Sequence, residues 1–210
     1  MNYLNHTENA KRRNKKERKN KKDQEGTCMR LFIAVNFRPD IKQRLLDDIA
    51  GLKKESKGNF TTPENLHMTL VFIGETEQTA EIKETMNEAA TAVTSEKLCL
   101  ELRTLGRFIR QGESLVWAGG TSESLEEIQR LLASALKKRG FDVDQKKWTP
   151  HVTLGRRVRF FSLKKDSDID AYLKSFDVNF SVDFDGISLM SSEHINGKLV
   201  YREIYKVLVP

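Results

Sequence analysis

"NLHMTLVFIG", residues 65–74, and "TPHVTLGRR", residues 149–157, each place a histidine and, two positions on, a threonine in an otherwise apolar run. Side chains alternate faces along a strand, so His67 and Thr69 share one face while Leu66, Met68 and Leu70 share the other. His151 and Thr153 share a face in the same way, opposite Val152 and Leu154. The apolar faces can pack beneath helices. The polar faces need a reason, because an imidazole or hydroxyl buried without partners is costly. Taken singly, each histidine also reads as a hydrogen-bonded core or edge residue, with threonine present for its strand propensity. The recurrence of the pattern 84 residues later (151 − 67), in a chain with four histidines, asks for a common explanation.

Outward from these strands the chain alternates between strand and helix patterns. "MRLFIAVNF" (29–37) reads as a buried strand, and Pro39 and Asp40 open a helix with Ile41, Leu45, Ile49 and Leu52 on one face. "SKGNFTTPEN" (56–65) has the composition of a turn and leads into the first histidine strand, residues 66–73. A second helix carries Ile82, Met86, Ala89 and Val93 on one face. "KLCLELRTLGRF" (97–108) and "SLVWAGG" (114–120) read as strands. The next helix, from about Ser124 to Arg139, has a capping-box pair in Ser124 and Glu127 and a stop at Gly140. The second histidine strand spans about 150–156, and a short helix is expected near 167–176. From Val178 the chain alternates on both sides of Asn196-Gly197, a strong hairpin signal.

The two halves therefore echo each other in the order of their elements. The expected fold is α+β: one domain of two similar lobes with pseudo-two-fold symmetry, each an antiparallel sheet with packed helices, around a central cleft.

Composition bounds the rest. The chain has 210 residues, 38% of them apolar, enough for one substantial core. It contains no apolar run near the ~20 residues of a membrane span and no apolar segment of a secretory signal among its first 28, so a cytoplasmic protein with no membrane contact is expected. Cys28 and Cys99 sit in no metal-like spacing. Residues 1–25 hold nine Lys or Arg against four Asp or Glu, which leaves 27 against 26 for the remainder. The high pI of about 9.2 thus belongs to the tail. Residues 1–28 are read as a basic, disordered extension, either a solvated tail or a contact for anionic polymers, and 29–210 as the folded domain.

If the lobes pack about a pseudo-two-fold axis, the polar faces of both histidine strands line one site. Two imidazoles suit displacement at phosphorus: a neutral ring takes a proton from the nucleophile and a protonated ring gives one to the leaving oxygen. Thr69 and Thr153 would donate to nonbridging phosphoryl oxygens. Neither metal nor other cofactor is required. A zinc site built from His67, His151 and a carboxylate remains an alternative, although spacing places no carboxylate. His6 and His194 are expected to be exposed and uninvolved. Arg30, Arg107, Phe108, Arg110 and Trp117 are candidates to hold ribose, base or phosphate, with Phe108 and Trp117 read first as core.

The twin His-x-Thr motifs resemble the signature of the two-histidine phosphoesterases, and the ordered set "MRLFIAVNF", "PENLHMTLVFIGE", "LVWAGG", "WTPHVTLGRR" and the closing hairpin is similar to their bacterial RNA 2′,3′-cyclic phosphodiesterase branch, also called 2′-5′ RNA ligases. The resemblance covers about residues 29–210. It implies that His67 is the proton donor and His151 the acceptor. The substrate would be RNA or a nucleotide ending in a 2′,3′-cyclic phosphate, opened by water to a 2′-phosphomonoester. It further implies that Thr69, Thr153 and a basic residue after the second motif, Arg156, bind that substrate.

Strand alternation alone points Arg156 away from His151 unless a bulge intervenes, and Arg157 has the better parity. The family begins near the equivalent of Met29, so residues 1–28 are either a basic RNA tether or the product of an upstream start. Joining or cleavage of 2′-5′ linkages, a metal-dependent hydrolase and a non-catalytic RNA-binding module are the alternatives carried forward. Nothing in the sequence demands more than a monomer.

Overall fold

The structure, a computed structural model, describes residues 28–95, 97–144 and 147–209. The expectation of a disordered extension lies, up to residue 27, outside the described residues.

The elements run β1 (Met29–Asn36), α1 (Pro39–Glu55), β2 (Ser56–Phe60), β3 (His67–Thr76), α2 (Thr79–Ala92), β4 (Leu98–Arg110), β5 (Glu113–Thr121), α3 (Glu123–Lys138), β6 (His151–Phe160), α4 (Asp166–Lys174), β7 (Phe180–Phe184), β8 (Gly186–Ile195) and β9 (Lys198–Leu208). A 3-10 turn, Pro63–Asn65, precedes β3. The strands form two antiparallel sheets, one ordered β3-β1-β8-β9 and the other β2-β6-β5-β4-β7. The α+β class and the repeated arrangement expected from sequence are what the fold shows.

The repeat is exact in its starting positions. Strands β1 and β5 begin at Met29 and Glu113, helices α1 and α3 at Pro39 and Glu123, and the histidine strands at His67 and His151, an offset of 84 residues each time (113 − 29, 123 − 39, 151 − 67). Each β-α-β unit is completed by strands from elsewhere in the chain. The C-terminal hairpin β8-β9 adds to β1, and β4 with β7 adds to β5.

The sheets do not follow the halves of the chain. β2 comes from the first half but pairs with β6 in the second sheet, and α1 packs against both of them. The lobes are thereby interlocked over one continuous core that takes Leu31, Ile33 and Val35 from β1, Ile41, Leu45, Ile49 and Leu52 from α1, and Leu125, Ile128, Leu132 and Leu136 from α3. The apolar positions expected on α1 are the ones that are buried, because a 3.6-residue period admits one such stripe.

Several local expectations are corrected. "SKGNF" is not a turn but an edge strand, created by its ladder with β6. The cap of α3 is Ser122, whose hydroxyl accepts the Leu125 N–H at 3.0 Å. Ser124 instead accepts the N–H of Cys99, and Glu127 accepts from Thr94 and Ser95 at the end of α2. The run from Val178 is split, since β7 pairs with β4 while β8 pairs with β1 and β9. The Asn196-Gly197 hairpin forms as expected, with positive φ at both residues, and Gln111-Gly112 makes a second turn of the same kind between β4 and β5. Among the described residues no helix is long and apolar enough to cross a membrane.

Candidate active site

His67 opens β3 and His151 opens β6, and β3 of one sheet lies against β6 of the other. Each imidazole is held in the same way. The Nδ1 of His67 lies 2.8 Å from the carbonyl oxygen of Asn65, and the Nδ1 of His151 lies 2.8 Å from that of Thr149, in both cases two residues back along the chain. A carbonyl can only accept, so each Nδ1 carries the proton and each Nε2 is left without one in the neutral ring. Asn65 is itself pinned, its side-chain amide donating to the Leu199 carbonyl at 3.0 Å.

Aromatic rings fix both imidazoles from the side. His67 packs with Phe32 and Tyr201 in a cluster of three rings, its centroid 4.9 Å from each of theirs, while the two aromatic rings meet edge-on at 5.1 Å. Phe108 meets His151 edge-on at 5.4 Å, and Trp117 stands 6.5 Å from it. The expectation that Phe108 and Trp117 are core residues is therefore corrected. Both rings sit beside His151, and Phe108 is 39% exposed. Trp117 is directly opposite Thr153 in the β5-β6 ladder, and its indole rests over Gly106 and Gly119, where a Cβ would strike the ring.

Burial pushes the His67 imidazole down to about 4. The bond to the Asn65 carbonyl opposes that shift, and the charges of Arg156, Lys42 and His151 add to it. His67 is thus neutral at pH 7, and cationic groups from α1 and β6 converge on it. The bulge needed to turn Arg156 toward the site is present. Against β5 the register of β6 shifts between Thr153 and Gly155, ahead of Arg156, and the alternation of buried positions breaks there at Leu154 and Gly155; Arg157, just beyond, has a left-handed φ of 54°. Arg156 and Arg157 are both exposed, and it is the charge of Arg156 that acts on His67.

Thr69 pairs with Ala34 across β1-β3, and Thr153 is its counterpart on β6. Neither hydroxyl has a hydrogen-bond partner among the described residues, so both are available to a ligand. Asn36 faces His67 across the ladder, its amide donating to Ser188 at 3.2 Å and Glu203 at 3.0 Å.

The remaining candidates lie elsewhere. The Arg107 side chain is 5% exposed and committed to Asp166 and Asp170, tying α4 to β4. Arg30 stacks on Phe72, and Arg110 and His194 are exposed. Among the described residues no group of three or more His, Cys, Asp or Glu is arranged to hold a metal ion. A cavity of about 470 Å³ lined by Arg130, Lys137 and Lys138 opens on α3 and includes neither histidine. Sequence reasoning missed Lys42, Phe32, Asn36 and Tyr201. Lys42 was visible only as a polar position on α1, and the other three reach the site through strand register.

A model of the 2′-5′ RNA ligase superfamily matches residues 39–196. An RNA 2′,3′-cyclic phosphodiesterase of Archaeoglobus fulgidus is 36% identical over 62% of this chain and 74% of its own length. A protein of the same name from Methanocaldococcus jannaschii is 30% identical over 72% of this chain and 84% of its own length. In Thermotoga maritima the corresponding protein is 27% identical over 85% and 94%. Among solved structures, Escherichia coli LigT complexed with 3′-AMP superposes with a TM-score of 0.68, at 22% identity, over 87% of this chain and 99% of that one. A phosphoesterase superposes with the same TM-score at 21% identity, over 87% and 99%.

Proposed function

The chain belongs to the 2′-5′ RNA ligase superfamily, and on that premise we propose that it hydrolyses the 2′,3′-cyclic phosphate ends of RNA to 2′-phosphomonoesters, with His67 and His151 as the acid-base pair. The observation that carries this reading is the matched tethering of the two rings. Each gives its Nδ1 proton to a carbonyl and leaves Nε2 for chemistry, on strands related by the repeat.

In the reaction, Nε2 of His151 takes a proton from water as the water oxygen bonds to phosphorus. The bond from phosphorus to O3′ breaks, and O3′ leaves with a proton from Nε2 of His67. The product is a 2′-phosphate beside a free 3′-hydroxyl. Thr69 and Thr153 donate to the nonbridging oxygens, where negative charge grows, and Arg156 holds the same anion from just past the bulge.

The assignment of the donor role to His67 follows the family resemblance, and electrostatics sets a condition on it. Among the protein's own groups His67 is neutral, held down to about 4 by burial and, to a smaller extent, by the charges of Arg156 and Lys42. The phosphodiester brings a negative charge among those cations, which favours the imidazolium and loads the ring with the proton it must deliver. The chemistry proposed uses no metal.

The test is product analysis by 31P NMR on a short RNA ending in a 2′,3′-cyclic phosphate, with chelator present. A 2′-phosphomonoester is expected. Formation of a 3′-phosphomonoester, or dependence on added divalent metal, would overturn the reading. Adding an RNA with a free 5′-hydroxyl separates hydrolysis from joining, since the same pair run backwards would form a 2′-5′ linkage.

A further inference from the structure

Two hydrogen bonds outside the acid-base machinery join the approach to each histidine strand to the other histidine strand, Thr61 by continuing the β2-β6 ladder and Trp148 by reaching across to β3. The Thr61 hydroxyl donates to the main-chain carbonyl of Thr153 at 2.7 Å. The Trp148 indole N–H donates to the main-chain carbonyl of Thr69 at 3.0 Å. Thr69 and Thr153 are equivalent positions of the 84-residue repeat, each two residues past its histidine. Thr61 lies in the segment leading into β3, and Trp148 in the segment leading into β6. Each tie therefore runs from the approach to one histidine strand onto the threonine of the other.

The same segments hold the carbonyls that orient the rings. Asn65, four residues after Thr61, accepts from His67. Thr149, the neighbour of Trp148, accepts from His151. A shift of either segment relative to the opposite strand would move a histidine and the spacing between the lobes together. We propose that Thr61 and Trp148 are positioning residues for the reaction, a reciprocal pair of ties that sets how far apart the two histidine strands, and so the two imidazoles, stand.

This inference rests on the acid-base reading above, and it assigns neither residue a contact with substrate. A misplacement of about 1 Å can cost about a hundredfold in rate, so loss of a tie should fall on kcat. Thr61 keeps a second, main-chain bond to the Leu154 carbonyl at 2.9 Å, so its hydroxyl carries the smaller share.

The variants are Trp148→Phe, which keeps an aromatic ring and removes the N–H, Thr61→Val, and Thr61→Ser as the conservative rescue. The expected result is a kcat about 10- to 100-fold lower for Trp148→Phe and several-fold lower for Thr61→Val, with KM within about threefold and Thr61→Ser near native. A second readout needs no turnover. The His67 ring is titrated by NMR in the full chain, where Arg156 and His151 from β6, Lys42 from α1 and Tyr201 from β9 face it. Looser lobes should let its titration move up from about 4 toward the ordinary value.

Native kcat and an unchanged titration in both Trp148→Phe and Thr61→Val would overturn the proposal, as would a drop in Tm that leaves both unchanged. If Trp148→Phe fails to fold, Thr61→Val carries the test. If the native protein turns over no cyclic phosphate, the function reading fails, and the titration alone decides whether the ties set the spacing.

Discussion

The carbonyl oxygen of Asn65 lies 2.8 Å from Nδ1 of His67, and this one bond fixes which nitrogen of the neutral ring carries the proton. Burial of much of the ring, with smaller contributions from Arg156 and Lys42, leaves it a neutral imidazole with Nε2 unprotonated. Adenosine 2′-monophosphate, which carries the proposed product group, should reverse part of that bias. NMR titration is expected to place His67 near 4 in the free protein and distinctly higher with the nucleotide bound. A titration that stays near 4 with the nucleotide in place would remove His67 as the proton donor and exchange the two roles.

The same shift makes stability depend on pH. The folded-state value, about 4, lies below the unfolded value near 6.5, so the unfolded chain binds this proton first as pH falls. The contribution is complete above pH 6.5 and is lost between about 6.5 and about 4, by on the order of 3 kcal/mol at most. Urea unfolding of the native protein and His67→Phe across pH 4 to 7 isolates it. The native stability should fall more steeply toward acid, and parallel curves would contradict the assignment.

Gly106 leaves room for the Trp117 indole, which stands beside His151. In Gly106→Ala the added methyl would enter the space of that ring, and overpacking of this kind costs about 1–3 kcal/mol. We expect a lower Tm together with reduced activity, because the displaced indole disturbs the Phe108 and Trp117 wall against which His151 rests. Full activity and native Tm would show that the ring has space the packing does not reveal.

Arg107 reads as a possible phosphate contact in the sequence, but its buried side chain bonds Asp170 at 2.7 Å and Asp166 at 2.9 Å. Both acids are more than half exposed, so they remain solvated when the partner is lost. Arg107→Met should cost about 1–2 kcal/mol of stability, below the figure for a fully buried pair, and leave KM unchanged. A large rise in KM would return Arg107 to the substrate site.

Helix α3 offers a contrast between the serine that caps it and the glutamate that the capping-box reading would pair with a cap. Ser122→Ala removes the cap and should cost about 1 kcal/mol, whereas Glu127→Gln keeps an oxygen for one of Thr94 and Ser95, sets its NH2 against the other at an exposed position, and should cost less. Equal losses in thermal unfolding would favour the capping box instead.

What the sequence shows of this protein is what local pattern controls. The face of α1 and both histidine strands were legible because helix and strand periods expose them. Lys57, Gly58 and Asn59 have turn composition, and only the β6 ladder makes them a strand. "TSES" (121–124) offers two serines to cap α3, and the choice is made by Cys99, whose N–H engages Ser124. The aromatic walls of the site depend on register. Phe32 and Tyr201 come from strands 169 residues apart (201 − 32), and no local spacing announces that they flank one imidazole. Arg156 was ambiguous by parity, and the register shift of β6 against β5 between Thr153 and Gly155 supplies the bulge that alternation lacks.

The central claim is that two matched histidines move protons at phosphorus. The measurement that tests it most directly is single-turnover hydrolysis of an RNA ending in a 2′,3′-cyclic phosphate by the native protein, His67→Ala and His151→Ala, with chelator present and folding checked by circular dichroism. Loss of about a hundredfold or more in each folded variant is the predicted result, in the range general acid-base catalysis contributes. Native-like turnover by either folded variant would contradict the account.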